Sequence, residues 1–71
     1  MTIEEFIQKF AEIVNIEDAS VLTPETDFHD LDEWSSLTAV KLLVFFDEEM
    51  DKDVTVAEIN ECYSLEELFN L

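Results

Sequence analysis

Two neighbouring hydroxyls, Ser35 and Ser36, stand where the charged stretch Phe28-His29-Asp30-Leu31-Asp32-Glu33-Trp34 gives way to an apolar segment that opens at Leu37. A serine at the start of a helix places its hydroxyl where an anion is tolerated. The unpaired amides and partial positive charge there favour an anion, by about 0.3–1 kcal/mol at an exposed site. The same serine also serves as an ordinary N-cap, which needs no modification. The other reactive side chains are isolated. His29 is the single histidine; spacing suggests no cysteine or serine partner, so it reads as a solvent-facing or loop-packing residue. No nucleophile, base and orienting group can be assembled. Cys62 is the single cysteine, which rules out an internal disulfide and leaves a structural zinc site without ligands. It reads as a small packing residue rather than a reactive thiol. Asp51-Lys52-Asp53-Val54-Thr55 begins like a calcium loop, but Val56 stands where a glycine is required and Cys62 where the closing glutamate should be. Loose divalent-ion binding to clustered acids is expected instead, with no dedicated metal site.

Charge narrows the partners. Nineteen acidic residues face three lysines, for a formal net charge of −16. Phosphate backbones and anionic membrane surfaces are repelled, so neither nucleic-acid binding nor membrane insertion is expected. A basic protein surface is attracted over long range, with a dependence on salt. The longest apolar run, Leu42 to Phe46, is far too short to span a bilayer. Met1 to Phe10 lacks the basic and apolar regions of a signal peptide. The chain has 71 residues, 48% of them apolar, which supplies one core and one domain over residues 1–71. A domain of this size buries only about 60% of its unfolded surface, so an enclosed catalytic cleft would consume much of that core. The balance favours binding or carrying over catalysis.

The elements that must position the serines are helices. There are no glycines and one proline, so punctuation falls to capping residues. Thr2 with Glu5, Thr55 with Glu58 and Ser64 with Glu67 have the spacing of capping boxes. A first helix is predicted over Ile3 to Val14, with Ile3, Phe6, Ile7, Phe10 and Val14 on its buried face. A long second helix is predicted over Ser36 to Met50, with Ala39, Leu42, Leu43, Phe46 and Met50 turned inward. A short third helix follows Thr55, anchored by Val56 and Ile59. A fourth runs from Leu65 to about Asn70, on Leu65, Leu68 and Phe69. The connection from Glu17 to Ser35 shows no periodicity; Leu22, Phe28, Leu31 and Trp34 are expected to pin it, with Pro24 at a turn. Trp34 reads as a packing anchor, with shielding of a bound group or partner contact as its other use. The fold class is all-α, a small four-helix bundle with a long loop between helices 1 and 2.

At Ser36-Leu37 the chain resembles the acyl carrier protein family, whose modified serine lies in an Asp-Ser-Leu motif at the start of the second helix. The resemblance extends over nearly the whole chain: helix lengths, long first loop, short third helix and acidic balance all agree. It implies a 4'-phosphopantetheine arm placed on Ser36 from coenzyme A by a phosphopantetheinyl transferase. It further implies acyl groups held as thioesters and delivered to separate acyl-transferring or condensing enzymes with basic docking patches. Tethering raises the effective concentration of the cargo, and the carrier performs no chemistry itself. A free-standing protein is expected, because Met1 nearly begins the first helix and Leu71 ends the last; with neither a signal peptide nor a membrane span in the sequence, a cytoplasmic location is the default expectation, and a monomer is expected. Two features depart from the family. Ser35 replaces the motif aspartate, an equivalent cap without the charge that helps partners recognise the site; Ser35 is thereby the fallback attachment point. On the outward face of the second helix, Thr38 and Lys41 hold the early positions, and acids come only at Asp47, Glu48 and Glu49. A second apolar stripe, Leu37, Val40 and Val44 with Phe45 beside it, reads either as a broad core face or as a docking strip or cover for an acyl chain. The candidate partner face is Leu37, Val40, Lys41, Val44, Asp47 and Glu48. The principal alternative to a carrier is an acidic helical adaptor that binds a basic protein and is never modified.

Overall fold

Each of the four helices starts at a hydroxyl that accepts from a backbone N–H of its own first turn, satisfying a donor that would otherwise lack a partner. The computed structural model describes residues 1–71 and contains α1 (Ile3–Ile13), α2 (Ser36–Glu49), α3 (Val56–Glu61) and α4 (Leu65–Phe69), with no strand. The architecture is the expected all-α bundle, with its long first connection and short third helix. The boxes at Thr2/Glu5 and Thr55/Glu58 close fully. In each, the glutamate N–H donates to the threonine Oγ1 at 3.2 Å, and the threonine N–H donates to the carboxylate at 3.1 Å. The third box is only half formed. Ser64 Oγ accepts from the Glu67 N–H at 3.2 Å, but the Glu67 carboxylate accepts from the Tyr63 N–H, one residue before the cap.

Helix ends are turned without glycine. Asn15 and Asp51 take left-handed backbone angles, φ 63° and 52°, which short polar side chains tolerate best after glycine. After α1 the Ile16 N–H donates to Ala11 O at 2.8 Å and the Asn15 N–H to Glu12 O at 3.3 Å, the paired bonds of a Schellman turn. After α2 the Lys52 N–H closes a wider turn on Phe46 O at 3.0 Å. The Lys52 ammonium then donates to the backbone oxygens of Phe69 and Leu71, at 3.2 and 2.6 Å. A cation at the C-terminus of α4 suits the helix dipole and ties that end to the end of α2.

The core lies where α1 meets α2 and α4. Phe6 is fully buried, with Phe45, Phe46 and Phe69 rings at 5.9, 5.9 and 5.6 Å. The predicted inner faces of α1 and α4 are as observed, with Ala11 added to the first. Two expectations for apolar residues are corrected. Phe45 belongs to the core rather than to the outer stripe of α2. Val56 does not anchor α3: it is exposed, while Ile59 is fully buried and Val54 packs from the preceding segment.

The connection between α1 and α2 is ordered by two short 3-10 turns that periodicity does not reveal, Ala19–Val21 and Phe28–Asp30. Asp18 and Asp27 cap them, accepting from the Ser20 and His29 N–H groups at 3.0 Å each. Leu22 and Phe28 are buried, with Leu31 and Trp34 packed against the core, as expected. The predicted turn falls at Pro24, with the Thr26 N–H donating to Thr23 O at 3.0 Å. From there the loop reaches α4: the Leu65 and Glu66 N–H groups donate to Thr26 O and Pro24 O at 3.2 and 3.0 Å. A five-residue helix is too short to be stable alone, and the loop supplies partners for its first free amides. No helix is long and apolar enough to cross a membrane.

Candidate functional site

Ser35 is the N-cap of α2, in extended backbone (φ −154°, ψ 174°). Its Oγ accepts from the Thr38 N–H at 3.3 Å, while Thr38 Oγ1 accepts from the Ser35 N–H at 2.8 Å and donates to Ser35 O at 2.7 Å. Thr38 thus takes the part that glutamate plays in the boxes of α1 and α3. Its side chain folds back over the first turn and is 7% exposed, the one buried polar residue of the chain. The expectation that Thr38 faces outward is therefore corrected. The pair Ser35-x-x-Thr38 has the spacing of a capping box; counting only Glu at its fourth position hid the signal.

With Ser35 holding the cap, Ser36 becomes the first helical residue; it is exposed, and its hydroxyl takes no part in the cap. No acid lies in the first turn of α2, so the positive end of the helix dipole is not neutralised from within. The geometry leaves a free primary hydroxyl beside unpaired amides. Such a group can accept a phosphoryl substituent, and its surroundings favour the negative charge that arrives with it.

A groove of about 220 Å³ opens beside this hydroxyl, lined by Trp34, Ser35, Ser36, Ala39, Val56 and Asn60. Trp34 is an anchor, as expected: its ring stacks on Phe10 at 6.0 Å and meets Phe28 edge-on at 4.7 Å. It also forms one wall of the groove. Val56 and Asn60 of α3 complete the opposite side; sequence reasoning did not find them, because nothing local brings α3 against the start of α2.

The predicted partner residues share one face of α2. Leu37, Val40, Lys41, Val44, Asp47 and Glu48 follow the three- and four-residue spacing of a single helical stripe, and all six are exposed. Leu37, Val40 and Val44 expose 64%, 50% and 51% of their surface. Of the two readings open for this stripe, the broad core face holds for Phe45, which is buried, and fails for Leu37, Val40 and Val44. Lys41 forms no ion pair; Lys9 pairs with Glu12 at 3.9 Å and Lys52 is engaged at α4.

The isolated reactive residues behave structurally. The His29 ring lies on Phe28 at 4.2 Å, with Nδ1 3.1 Å from Asp27 Oδ1, a loop-packing role. Cys62 is buried and its Sγ lies 3.4 Å from Glu58 O. Burial first, and then the Glu67, Glu61 and Glu58 carboxylates, push its thiol pKa up, so it is a weak nucleophile at neutral pH. No three potential metal-ligating side chains converge.

A family model described as the phosphopantetheine attachment site matches residues 4–71. No curated protein and no solved structure matches the chain at a significant level.

Proposed function

The chain belongs to the phosphopantetheine-attachment family, whose members are carriers rather than catalysts, and from that premise we propose that Ser36 is the residue that bears the prosthetic group. The observation that carries the assignment is the division of labour between the two serines. Ser35 is committed to the cap, with Thr38 fixing both of its backbone groups. Ser36 is exposed and uncommitted at the first position of α2. A phosphodiester fits this position: the first turn carries no acid to repel it, and the dipole of a fourteen-residue helix points its positive end there. Leu37 follows Ser36 as the family motif requires, whereas Ser35 is followed by Ser36.

When bound, the 4'-phosphopantetheine group supplies a thiol that holds an acyl group as a thioester. The residues of the chain itself only present and release. Trp34, Ala39, Val56 and Asn60 shape the groove beside Ser36, and the exposed face Leu37, Val40, Lys41, Val44, Asp47 and Glu48 receives the enzymes that modify and use the carrier. Those enzymes are a phosphopantetheinyl transferase drawing on coenzyme A, and acyl-transferring or condensing enzymes. The role is that of an acyl carrier that leaves each partner quickly, which suits a shallow and partly charged surface.

The test is a mass measurement. After incubation with coenzyme A and a broad-specificity transferase, the wild-type chain and Ser35→Ala each gain one phosphopantetheinyl group, and Ser36→Ala gains none. Addition to Ser36→Ala moves the site to Ser35. No addition to any variant, under conditions that modify a control carrier, returns the chain to the unmodified acidic adaptor.

A further inference from the structure

Taking Ser36 as the attachment point, as proposed above, we infer that Trp34 plugs the entrance to the seam between α2 and α3. Cargo on the arm is thereby kept outside the bundle. That fits the chain to short or polar acyl groups rather than to long alkyl chains.

An arm on Ser36 leaves beside the groove that Trp34, Ser35, Ala39, Val56 and Asn60 also line, so this groove is the cargo's nearest route inward. Its volume is about 220 Å³, the room of about seven waters at roughly 30 Å³ each. Ordinary ligand pockets begin at roughly 300 Å³, and the arm itself fills part of this one. The groove holds a short group and little more.

Beneath it the seam is closed. Ala39, on the groove wall, is 3% exposed, while Phe28, Leu42, Phe46 and Ile59 are fully buried. No cavity of the molecule touches any of these last four. An alkyl chain can enter only by displacing a packed side chain. Of those that line the groove, Trp34 is the one that also packs on rings of the core. Its indole stacks on Phe10 at 6.0 Å and meets Phe28 edge-on at 4.7 Å, with the His29 ring at 6.2 Å. A side chain held on three rings has nowhere to swing, because a close-packed interior offers no void of its size. A long alkyl chain on this carrier therefore stays in water, at a cost that grows with each methylene. A short or polar acyl group carries little of that cost.

Protection of the thioester tests the inference. Wild type, Trp34→Ala and Trp34→Leu are loaded with acetyl or decanoyl groups from the corresponding acyl-coenzyme A by a broad-specificity transferase, and mass confirms each loading. Hydroxylamine then cleaves the thioesters, and each rate is divided by that of the same thioester on coenzyme A. In the wild type the two normalised rates should agree within about twofold, since no methylene is buried. Trp34 is the single tryptophan, so its emission reports on the plug directly, and its maximum should not move with chain length. In Trp34→Ala the entrance opens, and burial of even two methylenes slows cleavage of the decanoyl thioester by about tenfold. Trp34→Leu, which keeps an apolar side chain on Phe10 and Phe28, takes its place if the alanine variant does not melt cooperatively. Slowed decanoyl cleavage in the wild type overturns the inference, whether the chain enters the seam or lies on Leu37, Val40 and Val44. Equal normalised rates in the folded variant overturn it as well, because Trp34 is then not the plug. A wild type that gains no mass from either donor, while a control carrier does, is a separate result. It removes the attachment reading itself, and this inference with it.

Discussion

Replacing Thr38 by valine preserves volume and branching but deletes a hydroxyl that serves both the N–H and the C=O of Ser35. The Ser35 N–H loses its acceptor at a part-buried position, and the valine leaves the Thr38 site without a polar group to replace it. We expect Thr38→Val to cost about 1–2 kcal/mol, the usual range for a lost cap or an orphaned donor, and Thr38→Ser to recover most of it. Urea denaturation of the two variants measures the difference; a valine variant as stable as wild type would show that the cap rests on Ser35 Oγ alone. At this scale the chemistry was partly legible. The Ser36-Leu37 pair and the end of the irregular stretch mark the candidate site in the sequence. The hydrophobic period turns Thr38 outward, because threonine carries little weight in it. The hydroxyl that turns it inward responds to the cap three residues earlier, not to the core.

The helices differ in how much their own residues determine. In α1 the apolar positions fall on one face and polar residues on the other, so its orientation follows from spacing alone. α2 is apolar nearly all round between Leu37 and Phe46; spacing turns the Leu42–Phe46 side inward but does not decide whether the Val40–Val44 side is buried as well. The decision is tertiary: α1 and α3 cover one side, and nothing covers the other. The same holds for the loop, whose 3-10 turns are locally capped but whose position is fixed by carbonyls of Pro24 and Thr26 reaching α4. Caps, by contrast, are local and were legible at Thr2 and Thr55. The cap of α1 also gives a pH signature. The Thr2 backbone N–H first, and then its hydroxyl, donate to the Glu5 carboxylate and hold its pKa below the ordinary 4.5. A depressed folded pKa means stabilisation that is present above the ordinary value and lost as pH falls through the folded one. The stability difference between wild type and Glu5→Gln should therefore be present at neutral pH and shrink steadily below about pH 4.5. Denaturation midpoints across that range read the trend; a difference that grows on acidification would contradict it.

At the scale of the whole molecule, charge opposes the fold. Sixteen net negative charges sit on a body with a radius of gyration of 10.8 Å. The screening length is about 30 Å at 0.01 M salt, about 10 Å at 0.1 M and about 3 Å at 1 M. At the lowest of these every acid feels every other across the molecule; at 0.1 M the repulsion reaches only about one radius, and at 1 M only immediate neighbours. Most of the relief should thus come between the first two concentrations. If screening returns about 1 kcal/mol, Tm rises by roughly 4–8 °C for a domain of this size. Magnesium should act beyond its ionic strength only through diffuse attraction to the acids, since no three ligating side chains converge to hold an ion. Calorimetric melts in sodium chloride and magnesium chloride, matched for ionic strength, decide both points. A Tm indifferent to salt would mean that the acids are spaced widely enough not to strain the fold. A saturating magnesium effect with a one-to-one stoichiometry would mean that the acids gather into a site only when the ion is present.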